Sequence, residues 1–304
     1  MKIIKIVFFV FILSSHILAN ENKIIVKINN DIITSIDLLN EINYLKALDK
    51  NFKNFEKNEI IQIAKNSLIR EKIKKIELRE NSLEININDD YFSSFISNFI
   101  KENNFDTIEN FKKYLLDNNI KFETIREKIS VEIIWNRLIY QKFSKKVKIN
   151  KQDIEKQILS KNKLQEFLLS EILFTLDNDE NLDEKYEKIT NTIEERNFEN
   201  AVSIFSLSDS VKNNGKIGWV EISALNKKIK NAILELNPNE FTKPIPIPGG
   251  FLILKVNKIR EIEKNLNLQD QINKVSNQIM NKQLNQYSVM YFNKIKKDLK
   301  INEF

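Results

Sequence analysis

The division of this chain is decided by two stretches, Asn214-Gly215-Lys216-Ile217-Gly218-Trp219 and Pro244-Ile245-Pro246-Ile247-Pro248-Gly249-Gly250-Phe251-Leu252-Ile253-Leu254-Lys255-Val256. All four glycines and all four prolines of the 304 residues lie between Gly215 and Gly250. Proline blocks the interior of a helix and glycine weakens it, so this window predicts one loop-rich region. The remainder of the chain is free to be helical.

The residues around this window predict an α+β unit of about 100 residues. Apolar runs predict its strands at 167–176, 218–221, 240–247 and 251–259. Apolar residues at helical spacing predict its helices at 183–197, 198–205 and 225–236. We therefore expect a four-stranded antiparallel sheet with helices packed on it.

The segment before this unit, residues 23–160, predicts a short strand followed by helices. The first helix is expected to start at Thr34, because Asp37 stands in the capping-box position three residues later. Asn88 or Asp89 is expected to cap a third helix, and Trp135 is expected in the core of a long one.

After Glu263 the chain predicts an amphipathic helix of about thirty residues, and such a helix cannot bury its apolar face alone. One face is formed by Leu268, Ile272, Val275 and Ile279. We expect this helix to pack back onto the N-terminal helices rather than onto the sheet unit. Residues 301–304 are expected to pair with the N-terminal strand.

The N-terminus predicts a secretory signal peptide, with Lys2 and Lys5 before an apolar run at 6–13 and Ala19 before the cleavage point. The alternative is an uncleaved anchor, but a bilayer span needs roughly 20 apolar residues and Ser14 interrupts this run. No later segment is long or apolar enough to span. The expected divisions are 1–19, 20–164, 165–262 and 263–304, with hinges at 161–165 and 261–267.

The composition excludes several classes of chemistry. The chain has no cysteine and one histidine, His16, which excludes serine or cysteine triads and the usual zinc sites. It also lacks a P-loop and a G-x-G-x-x-G motif, so we expect no cofactor and no ATP chemistry. The net charge of +6 is spread over many lysines and predicts no nucleic-acid partner. Export without cysteine fits the periplasm.

Three segments resemble the parvulin family of peptidyl-prolyl isomerases. They are Ser170-Glu171-Ile172-Leu173, then 214–219, then 244–256, against the family patterns S-H-I-L, G-G-x-[ML]-G-W and G-P-[IV]…G-[FY]-H-[IL]-[IL]-K-V. The resemblance covers about residues 165–262 and implies the parvulin sheet and its peptide groove.

The flanking segments extend this resemblance to the SurA-type periplasmic chaperones. Val26 to Asp37 is similar to their opening pattern V-x-x-N-x-x-[IV]-[IV]-[ST]-x-x-[DE], and helices, one parvulin unit and a closing helix follow in the same order. The fold class implied is α+β: a helical N-terminal chaperone domain, completed by a long C-terminal helix, with an inserted parvulin-like sheet unit.

The chain departs from the parvulin pattern where the family's groove is polar. The two facing histidines fall on Glu171 and Leu252, and the Cys or Asp position falls on Ser208. Leucine cannot form a hydrogen bond and an ionised glutamate only accepts one, so we expect weak or absent isomerase activity and assign no catalytic residue. Glu171 should reach solvent at the sheet rim or gain a donor such as Ser208. The candidate peptide-binding residues are Glu171, Ser208, Ile217, Trp219, Ile229 and Leu252.

Trp219 could equally close the core of the sheet instead of contacting a peptide.

The function implied by the resemblance is ATP-independent binding of unfolded exported polypeptides, above all outer-membrane β-barrel proteins, whose alternating aromatic strands aggregate when exposed. One alternative is an active peptidyl-prolyl isomerase with a groove that lacks histidine. A third class is a purely structural periplasmic protein, which would have no open apolar groove.

Overall fold

The computed structural model of the protein describes residues 22–48, 52, 55–102, 105–159, 163–176, 180–263 and 267–304. The expected signal peptide, His16 and parts of both expected hinges lie outside these residues. Within the described ranges, no helix combines the length and the apolarity needed to cross a bilayer.

The helical module, our name for the N-terminal elements together with the last helix and strand, begins with a strand pair and six helices. These are β1 (Ile24–Ile28), β2 (Asp31–Thr34), α1 (Ser35–Leu48), α2 (Lys57–Glu80), α3 (Asp89–Glu102), α4 (Ile108–Asp117), α5 (Phe122–Phe143) and α6 (Lys151–Leu159). The capping box expected at α1 is confirmed, because the Thr34 amide donates to Asp37 and the Asp37 amide donates to Thr34 Oγ1. Asn88 caps α3 by accepting from the Tyr91 amide.

The sheet unit, residues 163–263, confirms the expected four-stranded antiparallel sheet with helices, in strand order β4-β3-β6-β5. Its elements are β3 (Lys163–Phe174), α7 (Leu182–Glu195), α8 (Phe198–Phe205), β4 (Lys216–Glu221), α9 (Lys227–Leu234), β5 (Ile245–Ile247) and β6 (Gly250–Glu263). Strand β5 is shorter than expected, because only a single bridge at Phe241 precedes it.

The two faces of this sheet bury different helices. One face carries Leu169, Leu173, Leu252 and Leu254 and packs against α9. The opposite face carries Ile172, Phe174 and Ile253 and packs against α7 and α8. Adjacent strand residues point to opposite faces, so the alternation along β3 and β6 decides which side chain meets which helix.

The last helix, α10 (Leu268–Asp298), completes the helical module. Phe292 and Ile295 lie in its main core with Trp135, whose ring nitrogen donates to Ser288 Oγ over 2.8 Å. Near its N-terminus, Val275 packs with α6. The closing strand β7 (Ile301–Glu303) pairs antiparallel with β1, which confirms that expectation.

The same helix also lies along the sheet unit. Val289 is a member of the apolar cluster that includes Leu252 and Ile229, and Gln278 donates to the backbone oxygen of Trp219. The expectation that this helix avoids the sheet is therefore wrong. The apolar face read from the sequence packs against α6 and also against Val220 and Ala224 of the sheet unit, and polar residues such as Gln278 add to the contact with the sheet unit.

A buried ion cluster joins the sheet unit to the helical module. Lys74 of α2 forms ion pairs with Glu132 of α5 at 2.8 Å and with Asp209 of the sheet unit at 2.9 Å. Lys212 reaches Glu132 from the sheet-unit side. Burial lowers the pKa of Lys74, but the carboxylates of Asp209 and Glu132 outweigh burial and leave that pKa above its ordinary value.

Candidate functional site

Glu171 and Ser208, two of the candidate residues, lie in contact within the sheet unit. Glu171 is on β3, and Ser208 immediately precedes the 3₁₀ turn Asp209–Asn213. The Ser208 hydroxyl donates to Glu171 Oε1 over 2.5 Å, and both side chains are buried. The proposed donor to Glu171 is thus confirmed, and the alternative of a solvated rim residue is wrong.

Gly215 fixes the backbone beside Glu171. Its carbonyl accepts from the Glu171 amide over 2.8 Å, and its φ is +76°. A Cβ atom at this position would come within 2.7 Å of the Glu171 carbonyl oxygen and 2.6 Å of Val202. Only glycine fits such a backbone at this close approach, which is why the motif carries it here.

Leu252 and Ile229 lie on the same side of the sheet as Glu171. Leu254 stands directly opposite Glu171 in the β3–β6 register, and Leu252 is two residues further along the same face. Both Leu252 and Ile229 are buried in one apolar cluster. We call this side, with Glu171, Leu252, Leu254 and the inner face of α9, the groove face.

Ile217 and Trp219 lie on the edge strand β4, outside that apolar cluster. Ile217 is 39% exposed, and Trp219 is half-buried with the Arg260 guanidinium 4.0 Å from its ring centroid. The structure therefore brings together four of the six candidate residues. The other two, Ile217 and Trp219, lie on the edge strand β4. There Trp219 forms a cation–π contact with Arg260.

The groove face holds the buried Glu171, and the half-buried Lys282 lies near enough to influence its charge. Burial raises the pKa of Glu171, against the opposing effects of the hydrogen bond from Ser208 and of the nearby Lys282 cation. Burial lowers the pKa of Lys282 to about 8, and the Glu171 carboxylate opposes this shift. Lys282 belongs to α10, so the helical module supplies the charge that partners Glu171.

A different surface is open in the helical module. A cleft of about 300 Å³ lies between α3 and α5. We call it the aromatic cleft; it is lined by Tyr91, Phe95, Ile133, Asn136, Arg137 and Tyr140. Tyr91, Phe95 and Tyr140 are 50%, 43% and 53% exposed. Apolar side chains that line a cleft and remain exposed mark a surface for a partner.

The sequence reasoning did not identify this cleft. Phe95 lies one helical turn after Tyr91, and Tyr140 lies one turn after Asn136, so each helix presents one aromatic–polar stripe. Such stripes are also typical of helix cores, and only the packing of α3 against its neighbours leaves these rings uncovered. Among the described residues, no cluster of His, Cys, Asp and Glu could hold a metal ion.

Residues 167–258 match the family model described as the PPIC-type PPIase domain of rotamases. The chain is 23% identical over 199 residues to the chaperone SurA of Pseudomonas putida, covering 62% of this chain and 46% of that protein. It is 24% identical over 263 residues to SurA of Hydrogenovibrio crunogenus, covering 81% and 58%. The chain thus spans about half the length of the curated relatives it matches.

A solved structure from a study of two structurally related SurA-like chaperones of Campylobacter jejuni aligns with 93% of this chain and 99% of its own, at 16% identity and a TM-score of 0.38. So low a score adds nothing to the assignment, which rests on the sequence matches. These matches confirm the resemblance to the SurA-type chaperones. Residues 167–258 are therefore similar to PpiC-type domains, and we call residues 163–263 the PpiC-type domain of a chain that is similar to the SurA chaperones.

Proposed function

We propose that this chain is an ATP-independent chaperone that holds unfolded exported polypeptides in the periplasm, and that the aromatic cleft is a principal contact site for them. The observation that carries this proposal is the exposure of Tyr91, Phe95 and Tyr140 around one cleft. Aromatic rings supply large contact areas with few torsions to immobilise, and so bind varied apolar segments reversibly.

The clients that fit this surface best are outer-membrane β-barrel proteins. Their strands alternate lipid-facing apolar residues with polar ones and carry aromatic girdles at both ends. Such a strand offers a row of apolar side chains to the rings of the cleft, and its polar row can meet Asn136 and Arg137 on the same wall. The SurA relatives are chaperones by name, and this supports the same role here.

Isomerase activity is the second candidate, favoured by the PpiC-type domain itself. We expect it at background, because catalysis of this kind needs placed hydrogen-bond donors around the twisted amide. The family resemblance puts histidines at the positions of Glu171 and Leu252. Here one side chain already accepts a bond from Ser208 and the other is aliphatic.

The test is suppression of aggregation of a urea-unfolded β-barrel protein upon dilution, followed by light scattering. The double substitution Phe95→Ser and Tyr140→Ser removes two aromatic contacts from the cleft. We expect it to raise the chaperone concentration needed for half-protection by about tenfold, which corresponds to about 1.4 kcal/mol of binding free energy. Both side chains are half exposed, so thermal unfolding should change little.

The matched control is Leu116→Ser, which removes an apolar side chain that is 74% exposed on α4 and outside the cleft. Protection by Leu116→Ser should equal that of the parent chain. Equal protection by the cleft variant would remove the cleft from the proposal, and no protection by the parent would favour the purely structural class. A prolyl-isomerase assay on the same preparations decides the second candidate.

A further inference from the structure

Five residues of α10 form one stripe along the helix. They are Lys274, Gln278, Lys282, Asn285 and Val289, and their spacings of four, four, three and four residues place them on one side. We call them the cover stripe. Lys274, Gln278, Asn285 and Val289 contact the PpiC-type domain, and Lys282 lies between them on the same side of the helix.

The first half of the cover stripe contacts the beginning of β3 and the edge of β4 that has no neighbouring strand in the sheet. Lys274 forms an ion pair with Glu166, which Arg260 also contacts. Gln278 donates to the Trp219 carbonyl over 3.1 Å and accepts from the Glu221 amide over 3.3 Å. The side chain thereby pairs backbone groups that an edge strand otherwise leaves open.

The second half lies on the groove face. Asn285 donates to the Ser208 hydroxyl over 3.2 Å. Since Ser208 also donates to Glu171 and accepts from the Ser210 amide, its hydroxyl reaches its full bonding capacity only with the helix in place. The contact is therefore specific in its polar partners.

Val289 and Met290 continue the contact at the end of the groove face. Val289 packs in the cluster of Leu252, Ile229 and Ile245. Met290 lies against Gly249, where an added Cβ would come within 2.9 Å of the Met290 side chain. This turn of helix lies beside the candidate peptide-binding residues, and Val289 adds to the sheet and α9 residues that bury Leu252 and Ile229.

A neighbouring side of α10, next to the cover stripe, belongs to the helical module. Ser288 accepts from Trp135, and Phe292 and Ile295 lie in the main core. One side of the helix therefore packs in the helical module, and the neighbouring side lies on the groove face. Loss of stripe contacts can release the groove face without removing the apolar residues that hold the helical module together.

We propose that α10 is an autoinhibitory cover, which occupies the peptide groove of the PpiC-type domain in cis and leaves it accessible only when the cover stripe moves away. A peptide that enters the groove must displace Asn285 from Ser208 and Val289 from the Leu252 cluster. This inference does not depend on the chaperone proposal, because it concerns a contact within one chain and its test uses no client.

The test is thiol labelling, since the chain contains no cysteine of its own. Ser208→Cys places a nearly isosteric thiol under the cover, where it should react far more slowly than an exposed thiol. Val289→Ala or Asn285→Ala, each added to Ser208→Cys, should raise the labelling rate by about tenfold, because each removes one contact that holds the local closed state.

The matched control is Val202→Cys, a buried position on α8 behind the opposite face of the sheet. Its labelling rate should stay the same with and without Val289→Ala. Equal acceleration at both positions would mean that the domain opens only by global unfolding, and would overturn the proposal. An unchanged Ser208→Cys rate in both stripe variants, or rapid labelling in the parent chain, would overturn it as well.

Discussion

The helical module and the PpiC-type domain each carry an apolar surface suited to a peptide, but the two surfaces differ in access and in chemistry. The aromatic cleft is rimmed by half-exposed rings and has no segment of the described chain across it. The groove face is aliphatic around Leu252, contains the buried Glu171, and is covered by α10.

The region that resembles a known family and the region that we expect to bind partners are therefore different parts of the chain. The motifs that identify the PpiC-type domain lie in the covered region, where Gly215 and Leu252 preserve the sheet and its packing. The open surface lies on α3 and α5, where the sequence contains none of the family motifs quoted above. The part of a chain that reveals its family is thus not the part where we expect its partners to bind.

Deletion of residues 268–304 should have the largest effect on the difference between the two regions. It removes Phe292 and Ile295 from the main core, the acceptor of the Trp135 ring nitrogen, and the strand that pairs with β1. We expect the helical module to lose its cooperative unfolding transition while the PpiC-type domain keeps its sheet and exposes the groove face. Circular dichroism and hydrogen exchange measure the two parts separately.

An unchanged melting transition of the N-terminal helices in this truncated chain would contradict the assignment of α10 to the helical module. Loss of the sheet as well would mean that the two parts form a single cooperative unit. Either result would remove the distinction between an anchored side and a covering side of the helix.

Lys74→Ala should weaken the joint between the two regions. It removes the buried cation that the partly exposed Glu132 and Asp209 share, but Glu132 keeps its ion pair with Lys212, so the loss should be smaller than the cost of about 3–5 kcal/mol for breaking a fully buried pair. Urea unfolding should show this loss. The exposed Lys57 of the same helix provides the control, since Lys57→Ala should change stability by less than about 0.5 kcal/mol.

Glu171→Gln should have the smallest effect, visible as a change in pH dependence. Burial raises the pKa of Glu171 in the folded state, so its stabilising contribution is present below pH 4.5 and is lost as the pH rises through the folded pKa. The glutamine variant lacks this loss. Its unfolding free energy relative to the parent chain should therefore increase as the pH rises above 4.5.

Glu59→Gln is the control with the opposite sign. The hydrogen bond from Arg196 holds the pKa of Glu59 below its ordinary value, so its contribution is present above pH 4.5 and is lost on acidification. That variant should lose stability relative to the parent as the pH rises. If the two variants showed the same pH trend, the burial of Glu171 beneath α10 would be wrong.

The sequence predicted the sheet, its strand order in the chain and the closing strand, because these depend on local signals. Continuous apolar runs identify β3 and β6, and Thr34 with Asp37 marks the start of α1 through a contact between residues three positions apart. The donor from Ser208 to Glu171 was also predicted, since a buried carboxylate requires one.

The cover stripe could not be predicted in the same way. Its members are lysines, a glutamine, an asparagine and one valine, which at helical spacing are typical of a solvated face. Their partners lie far away in the chain, and nothing in the spacing of Lys282 or Asn285 indicates which surface they meet. Long-range polar complementarity becomes visible only once the backbone is folded.

The pairing of β7 with β1 also determines the order in which the chain can fold. The Lys300 amide donates to Asn29 Oδ1 across 271 residues of sequence, whereas all strands of the PpiC-type domain lie within residues 163–263. Long-range closure is slow because the entropy of the intervening loop is lost before the contact forms. During synthesis, the middle of this chain can therefore reach its native structure before its first helices acquire their C-terminal partners.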